Sequence, residues 1–309
     1  MAEDQGVNGD IWNNEATILL RKLGWELVAD KNIDIPDIEN KERGVDALFQ
    51  YENPTTNGFQ GILLEAKHYK LSSYSRSKLE KWICDLYDKI VNLRNSDELY
   101  ELFPKMENTI LRNGLIVIWF SDYETDPTIT EKLKKDLTSI DFQKNGRGVT
   151  IPNRIFIMSN EDILRLTSVV DKIHSFRLKD PTCIFEFHYP FLGKGAANST
   201  KILSLESMFS KFIYAEIRDK NRVLNKQVVF YFGNTDFKSM QLLKNALLQH
   251  IAQTGNKLAI YNYHRNIQEF RKIKDSIINE FKNDRIDVEF LSMSLNKGLP
   301  DWILDHNLE

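Results

Sequence analysis

Hydrophobic and polar positions in the first half of the chain follow two periods, one typical of helices and one typical of strands. Helical spacing of apolar side chains occurs at residues 11–24, 75–95, 128–137 and 161–173. Runs that are apolar throughout or alternate with polar residues occur at 25–29, 44–51, 61–69, 114–120 and 153–158. A pair of strands followed by strand–helix–strand steps predicts a mixed sheet flanked by helices.

The connections between these segments carry turn and breaker residues. Residues 52–60 (ENPTTNGFQ) are rich in Pro, Asn and Gly, so they predict a hairpin loop that pairs 44–51 with 61–69. Residues 31–43 are polar and contain a proline, and they predict a second loop. Asn160 stands directly before the last helical segment, where its side chain predicts an N-cap.

The pattern restarts after residue 178. Strand-like runs occur at residues 183–188, 227–232, 257–261 and 286–291, helical spacing occurs at 203–217, 236–253 and 266–281, and a loop occurs at 193–200. This alternation predicts a small parallel βαβαβ sheet. We therefore expect an α/β protein, with a mixed-sheet domain flanked by helices over residues 1–178 and a smaller βαβαβ domain over residues 179–309.

Composition and charge narrow the class of protein. With 309 residues, 42% of them hydrophobic, the chain can bury two cores, one for each predicted domain. Its formal net charge of −3 gives no overall positive field, so a nucleic-acid partner would need a local basic surface. Two cysteines, Cys84 and Cys183, lack the spacing of metal ligands and predict buried thiols in a reducing compartment.

No targeting or membrane signal is visible in the sequence. The first ten residues are polar and acidic, unlike a signal peptide, and no apolar run reaches the length that spans a bilayer. We therefore expect a cytoplasmic protein without a membrane partner.

Two acids and a lysine lie on the neighbouring strands of the predicted hairpin. Glu65 and Lys67 are two residues apart, so their side chains leave the same face, and the other strand contributes Asp46. Carboxylate oxygens, with the Ala66 carbonyl between Glu65 and Lys67, are ligands that Mg²⁺ prefers, with Mn²⁺ as a substitute. Lys67 beside a metal-bound water would orient that water or stabilise developing negative charge.

The same spacing also occurs on solvated strand edges, so an exposed strand face without a function is the alternative. Ile62, Leu63 and Leu64 are apolar, which favours an interior strand, where a polar side chain needs a partner or a function. Glu15, in the preceding helix, would add a carboxylate on the outer side of the metal.

In this order the residues resemble the PD-(D/E)XK nuclease superfamily, and within it the Mrr-like restriction endonucleases. The resemblance rests on Glu15 followed by LLRKLGWEL, then RGVDALF, then LLEAKHY, and by element order it extends over residues 1–175. It implies a restriction-endonuclease-like fold in which Asp46 and Glu65 bind the metal. It also implies that Lys67 is the catalytic lysine and that Glu15 is the helix acid that completes the site.

Two departures from the family pattern leave the reacting groups intact. Val45 stands where a proline often precedes the aspartate, and Asn14 stands where an aromatic residue often precedes the helix acid. The chemistry that the resemblance implies is metal-dependent cleavage of a phosphodiester, usually in DNA. The setting that it implies is often defence against invading DNA.

Basic and aromatic residues follow the acidic cluster along the chain. Tyr69 shares the face of Lys67, and Lys70, Arg76 and Lys78 come next. Basic side chains with aromatics beside a metal site are suited to hold the phosphate backbone of a nucleic acid. A solvated loop that enters a helix is the alternative, and the pattern fits both equally.

The second half offers weaker candidates for a ligand site. The predicted loop at residues 193–200 (GKGAANST) is rich in glycine, but it does not match the residue order of a P-loop. Asn234, Thr235 and Asp236 follow a predicted strand at the edge where open α/β sheets bind ligands, and His264 and Arg265 follow the next strand. Plain capping of the helix that follows is the favoured alternative.

The favoured hypothesis is a Mg²⁺-dependent DNA endonuclease of bacterial anti-phage or restriction defence, in which residues 179–309 recognise a partner protein or a trigger. RNA stays open as a substrate. The alternative is a non-cleaving module with a nuclease-like fold, which binds nucleic acid or a partner and is regulated through residues 179–309. Because one site cuts one strand, double-strand cleavage calls for two copies, as in a homodimer or an assembly with a partner protein.

Overall fold

The computed structural model describes residues 7–56, 58–122, 128–140, 153–189, 198–251, 257–264 and 266–304. The chain packs as two compact units. Unit 1 is made of Met1–Asn53, Asn57–Ile163 and Leu299–Glu309, and unit 2 is made of Pro54–Thr56 and Leu164–Gly298. The domain boundary after residue 178 stays a prediction, because compact packing alone does not establish which segments fold independently.

Unit 1 is built around a five-stranded mixed sheet. Its elements are α1 (Val7–Lys22), β1 (Glu26–Pro36), β2 (Glu42–Asn53), β3 (Gly58–Tyr69), α2 (Arg76–Leu93), α3 (Asp97–Leu102), β4 (Thr109–Phe120), α4 (Ile129–Ser139), β5 (Arg154–Met158) and the start of α5 (Asn160–Lys179). The strand order is β1–β2–β3–β4–β5, antiparallel from β1 to β3 and parallel from β3 to β5. The predicted mixed sheet flanked by helices is confirmed.

β3 and β4 form the buried centre of this sheet. α2 covers one face, where a Cβ on Gly114 would lie only 2.7 Å from Leu86, so the helix packs against bare backbone of β4. α1 covers the opposite face, where Trp12 packs on Trp119 with ring centroids 5.6 Å apart. Positions 114 and 119 point to opposite faces because strand side chains alternate. Burial on both faces explains why the run 114–120 is apolar throughout.

β1 is longer than the sequence pattern predicts. The loop prediction for residues 31–43 is wrong at both ends, because β1 continues to Pro36 and β2 begins at Glu42, and the two strands pair across two shifts in register. Ile33 and Ile35 alternate with the exposed Asp34, as expected for a strand. The two bulges, which lie before Ile33, interrupt this alternation in the first part of β1 and hide the strand pattern. β1 lies at the sheet edge, where a terminal proline is tolerated.

Asn160 ties the end of β4 to the start of α5. Its Oδ1 accepts from the main-chain N–H of Phe120 at 2.8 Å, and its Nδ2 donates to the Phe120 carbonyl at 3.0 Å. The prediction that Asn160 caps α5 is wrong, since the main-chain N–H of Ser159 donates to Asp162 at 3.2 Å, as in a capping box led by Ser159. The Asn160 amide, which is fully buried, instead satisfies both backbone groups of a strand end.

Asn160→Ala should lower the free energy of unfolding by about 2–4 kcal/mol, because it leaves the buried N–H and carbonyl of Phe120 without partners. Asn95→Ala is the matched control, since Asn95 is exposed and its amide donates to a carbonyl in the last turn of α2. Urea unfolding of the two variants measures the difference. Equal, small losses in both would contradict the role given to Asn160.

Unit 2 contains a six-stranded sheet. Its elements are the rest of α5, β6 (Ile184–Tyr189), β7 (Asn198–Thr200), α6 (Leu205–Met208), β8 (Phe212–Arg218), β9 (Leu224–Tyr231), α7 (Phe237–Ile251), β10 (Leu258–Tyr263), α8 (Ile267–Asn283) and β11 (Val288–Met293). The strand order is β11–β10–β9–β8–β6–β7. β9, β10 and β11 are parallel and are joined by α7 and α8, as the predicted βαβαβ unit requires.

α9 (Asp301–Leu304) belongs to unit 1 and packs against α1.

An antiparallel half extends the predicted parallel sheet of unit 2. The predicted helix at residues 203–217 is wrong for most of its length, because only α6 is helical there and the chain continues as β8, paired with β9 and β6. The run FIYAEI is rich in aromatic and β-branched side chains, which favour a strand between two others. Asn198–Thr200 forms β7 rather than a loop, while residues 193–197 lie outside the described residues.

Candidate active site

The pairing of β2 with β3 brings three of the predicted site residues together. The antiparallel register, continued one step beyond its last pair, places Asp46 beside Glu65. Lys67 follows Glu65 at the same-face spacing of a strand. All three side chains leave the sheet on the face that α2 covers, and they form one charged cluster there.

Asp46 is a carboxyl group held in place by the neighbouring strand. Its Oδ2 accepts from the main-chain N–H of Ala66 at 2.8 Å. Burial raises the pKa of Asp46 to about 6, and the negative charge of Glu65 adds to the shift. Two lysines and the hydrogen bond from Ala66 oppose this rise in pKa without cancelling it. The negative charge of Asp46 is therefore only partly compensated.

Glu65 is bound by two ammonium groups. Lys67 Nζ lies 2.8 Å from its Oε1, and Lys89 Nζ donates to its Oε2 at 2.8 Å. Burial alone would raise the pKa of Glu65, but the two positive charges outweigh burial and hold the pKa below its usual range. Glu65 is thus an ionised carboxylate at neutral pH, with a lysine at each oxygen.

Lys89 is the member of this cluster that the sequence patterns did not indicate. The buried stripe of α2 consists of Leu79, Trp82, Ile83, Leu86, Ile90 and Leu93. Position 89 follows Leu86 by three residues, so it borders the stripe and lies on the side that faces the sheet. A lysine stem can pack beside such a stripe while its ammonium group reaches an acid. A lysine at the border of an apolar stripe, next to a strand with an acid, is the signal that would have found it.

Glu15 lies apart from the charged cluster. It is on α1, which packs on β2 and β3 from the opposite face of the sheet, and 7% of its surface is exposed. Burial raises the pKa of Glu15 to about 7, and no charged group among the described residues contributes to the shift. Within the cluster, by contrast, the negative charge of Glu65 contributes to the raised pKa of Asp46. The structure brings Asp46, Glu65 and Lys67 together, but not Glu15.

Glu15→Gln should raise the free energy of unfolding by about 2–3 kcal/mol at pH 8 and by less than about 1 kcal/mol at pH 5. The folded-state pKa of about 7 lies above the ordinary value of 4.5, so the ionised Glu15 destabilises the fold increasingly as the pH rises through this window. Urea unfolding at the two pH values measures the effect, with the exposed Glu101→Gln as control. A stabilisation that is the same at both pH values would contradict the assignment to burial.

The predicted nucleic-acid-binding residues line the connection from β3 to α2. Tyr69 packs on Trp82 with ring centroids 4.9 Å apart. Lys78 lies 4.9 Å from the centre of the Tyr69 ring and donates to a main-chain carbonyl of the connection at 2.7 Å. Arg76 donates to a carbonyl at the end of α4 at 2.6 Å. Lys70 and Arg76 are exposed.

The oxygen atoms of the cluster fit a hard divalent cation. Asp46 and Glu65 supply carboxylates and Ala66 a main-chain carbonyl, and Mg²⁺ prefers such ligands together with several waters. The raised pKa of Asp46, which comes from burial and from Glu65, marks a negative charge that a cation would stabilise. The ligand set is small, because no group of three or more acidic, histidine or cysteine side chains suited to a metal occurs among the described residues.

The weaker candidates in unit 2 have structural roles. Asp236 accepts from the main-chain N–H of Ser239 at 2.8 Å, which is the geometry of a cap at the start of α7. Thr235 donates to a side chain of β10 at 3.2 Å, and His264 Nε2 lies 2.6 Å from a hydroxyl of β11. Arg265 lies outside the described residues. The capping alternative therefore accounts for Asp236.

A family comparison bears on the first half of the chain. A family model described as "GAPS4 protein PD-(D/E)XK nuclease domain" matches residues 1–162, slightly more than half of the chain. The match confirms the resemblance to the PD-(D/E)XK superfamily, and the Mrr-like subgroup stays a prediction.

Comparisons with other proteins add little. No curated protein matches the sequence. Among solved structures, the one described as "Crystal structure of Aa-Ago with externally-bound siRNA" is 9% identical, with a TM-score of 0.19. The alignment covers 86% of this chain and 40% of that chain, so this chain spans less than half of its length. At such a TM-score the likeness carries no argument about fold or function.

Proposed function

The chain belongs to the family of GAPS4 protein PD-(D/E)XK nuclease domains, and on that premise we propose that it is a metal-dependent DNA endonuclease. The observation that carries the proposal is the cluster of Asp46, Glu65 and Lys67 on one face of two paired strands. Hydrolysis of a phosphodiester needs acids that hold a cation and a positive group that meets developing negative charge. The cluster supplies both.

Each residue of the cluster has a proposed role. Asp46, Glu65 and the Ala66 carbonyl would hold Mg²⁺, with Mn²⁺ as a substitute. When bound, the ion would supply charge neutralisation and a more acidic water. Lys67, whose ammonium group lies 2.8 Å from Glu65, keeps a positive charge beside the position where an attacked phosphate gains negative charge. The role implied for Glu15, a helix acid that completes the site, stays a prediction.

The connection from β3 to α2 is proposed to hold the nucleic-acid backbone. Lys70, Arg76 and Lys78, with Tyr69, follow Lys67 directly along the chain, and the first two are exposed. Because the whole chain carries a formal charge of −3, such local positive charge would provide the attraction to DNA. RNA has the same backbone chemistry and stays an alternative substrate.

The proposed setting is anti-phage or restriction defence in the bacterial cytoplasm. Residues 179–309 are proposed to recognise a partner protein or a trigger. A homodimer, or an assembly with a partner protein, would supply the second site that a double-strand cut requires. Within the described ranges, no helix combines the length and the apolar character needed to cross a bilayer.

Incubation of the full chain with supercoiled, linear and single-stranded DNA, and with RNA, in the presence and absence of Mg²⁺ tests the proposal. The expected result is nicking or linearisation of supercoiled DNA that depends on the ion. Degradation from linear ends alone would replace the endonuclease with an exonuclease. No cleavage of any substrate with Mg²⁺ or Mn²⁺ would overturn the proposed activity.

A non-cleaving module that binds nucleic acid is the second candidate. The observation that favours it is the neutralisation of Glu65 by Lys67 and Lys89, which gives the cluster a balanced charge from the chain's own side chains. DNA binding that persists in a chelator, with no cleavage under any metal, would select this candidate over the nuclease.

A further inference from the structure

We propose that Lys89 competes with the divalent ion for Glu65 in the free protein and transfers to a backbone phosphate when nucleic acid binds. The inference rests on the proposed function, because it concerns the ion and the substrate of the same site. It gives α2 a part in the chemistry and makes metal binding depend on the substrate.

The charge of the cluster is the first argument. Asp46 and Glu65 carry two negative charges when ionised, and Lys67 with Lys89 carries two positive charges, so the ionised cluster is neutral. With Lys67 as its only lysine, the cluster would carry one net negative charge. A divalent cation is attracted to the negative cluster and gains little from the neutral one. Lys89 therefore weakens the hold of the site on the ion until another anion arrives.

The positions of the two ammonium groups are the second argument. Each oxygen of Glu65 has a lysine nitrogen at 2.8 Å. An ion that binds Glu65 therefore either shares an oxygen with a lysine, whose positive charge repels it, or displaces that lysine.

Lys89 is the lysine that can leave. Its side chain is 20% exposed, against 13% for Lys67, and it reaches the cluster from a helix rather than from the central strand. The backbone beneath it is fixed, because Leu86 packs against Gly114 of β4. Movement is therefore confined to a flexible four-carbon side chain with three N–H donors, which can exchange a carboxylate for a phosphate oxygen.

Coupling between ion and substrate is the consequence. A phosphodiester brings the negative charge that the neutral cluster lacks, and it offers Lys89 a new partner. The ion then gains an oxygen of Glu65. By thermodynamic linkage each ligand strengthens the other, so the free protein holds little metal and the complex with nucleic acid holds it well.

A purely structural role for Lys89 predicts a different result. If Lys89 only joined α2 to β3, its removal would loosen Glu65 and lower stability. The affinity for metal would then fall or stay the same. The two roles thus differ in the sign of the change in metal affinity.

Calorimetric titration of Mn²⁺ into the full chain without nucleic acid tests the inference. Lys89→Met keeps the aliphatic stem, and Lys89→Gln is the second variant if the first does not fold. Either should bind Mn²⁺ tighter by about tenfold or more than the unmodified chain. Lys89→Arg, which keeps the charge, and Lys272→Met, which removes an exposed charge on α8, should match the unmodified chain.

Cleavage of supercoiled DNA at saturating Mg²⁺ is the second measurement, and it should fall by at least about tenfold in Lys89→Met because the phosphate loses a contact. Unchanged or weaker Mn²⁺ binding in the Lys89 variants, with cleavage intact in the unmodified chain, would overturn this inference alone. No Mn²⁺ binding and no cleavage in any protein would overturn the proposed nuclease together with it.

Discussion

Lys67→Met is expected to lower Mg²⁺-dependent cleavage of plasmid DNA by about 10³-fold and to leave DNA binding nearly unchanged. The ammonium group of Lys67 lies beside Glu65, where an attacked phosphate would gain charge, so its loss affects the transition state more than the bound substrate. The fold should tolerate the change, because Glu65 keeps Lys89 at 2.8 Å as a partner.

Single-turnover cleavage and DNA-binding titrations, both on the full chain, measure this effect. Lys105→Met is the control, since Lys105 forms an exposed ion pair with Glu26 and lies just before the start of β4. Glu65 of the cluster pairs with Ile116 of β4, which lies seven residues beyond Thr109, the first residue of that strand. The control residue is therefore far from the cluster. A Lys67 variant that cuts as fast as the unmodified chain would remove the basis of the proposed activity and favour a binding module.

Asp46→Asn is expected to remove cleavage to below about 10⁻³ of the original rate and to stabilise the metal-free chain by about 1–2 kcal/mol at pH 8. The amide oxygen of Asn can still accept from the Ala66 N–H, but a neutral group no longer attracts the ion. Burial and Glu65 raise the pKa of Asp46 from 3.8 to about 6, so ionised Asp46 destabilises the fold above that pH. The gain should vanish as the pH falls below about 4.

Urea unfolding in a chelator at pH 5 and pH 8, together with plasmid cleavage in Mg²⁺, measures the two effects of Asp46→Asn. Asp34→Asn, a change to an exposed acid on the edge strand β1, should leave both stability and cleavage unchanged. An Asp46 variant that is inactive and also less stable at pH 8 would mean that the carboxylate holds the fold together, so its loss of activity would say nothing about metal.

The placement of Asp46, Glu65 and Lys67 could be predicted because it depends on local rules. A strand repeats every two residues, so Glu65 and Lys67 share a face by spacing alone. The hairpin loop makes the strand of Asp46 their neighbour, and the register of β2 with β3 brings Asp46 to the same face. The apolar run Ile62–Leu64 indicated an interior strand, and all three of its residues are fully buried.

Lys89 and Glu15 could not be placed in the same way, because their surroundings depend on tertiary packing. Lys89 meets Glu65 across 24 residues, through the packing of α2 on the sheet. Glu15 precedes the strands in sequence order, but order alone does not say which face of a sheet a helix covers. α1 covers the face opposite to the charged cluster.

β8 was missed for a different physical reason. β8 pairs with a strand on each side, and residues 213–216 are buried on both faces of the sheet. Such a run has few polar positions and therefore shows no clear period of two. Periodicity then does not separate a buried strand from a buried helix. The aromatic and β-branched content of the run was the better guide.

The position of Glu65 on β3, next to β4 in the buried centre of unit 1, limits how this protein can diversify. Altering the spacing of the acids would mean moving a central strand, which few sequence changes can do without loss of the fold. The connection from β3 to α2, with exposed Lys70, can vary far more freely. Descendants of this chain would thus retain the charged cluster and change most readily in this connection.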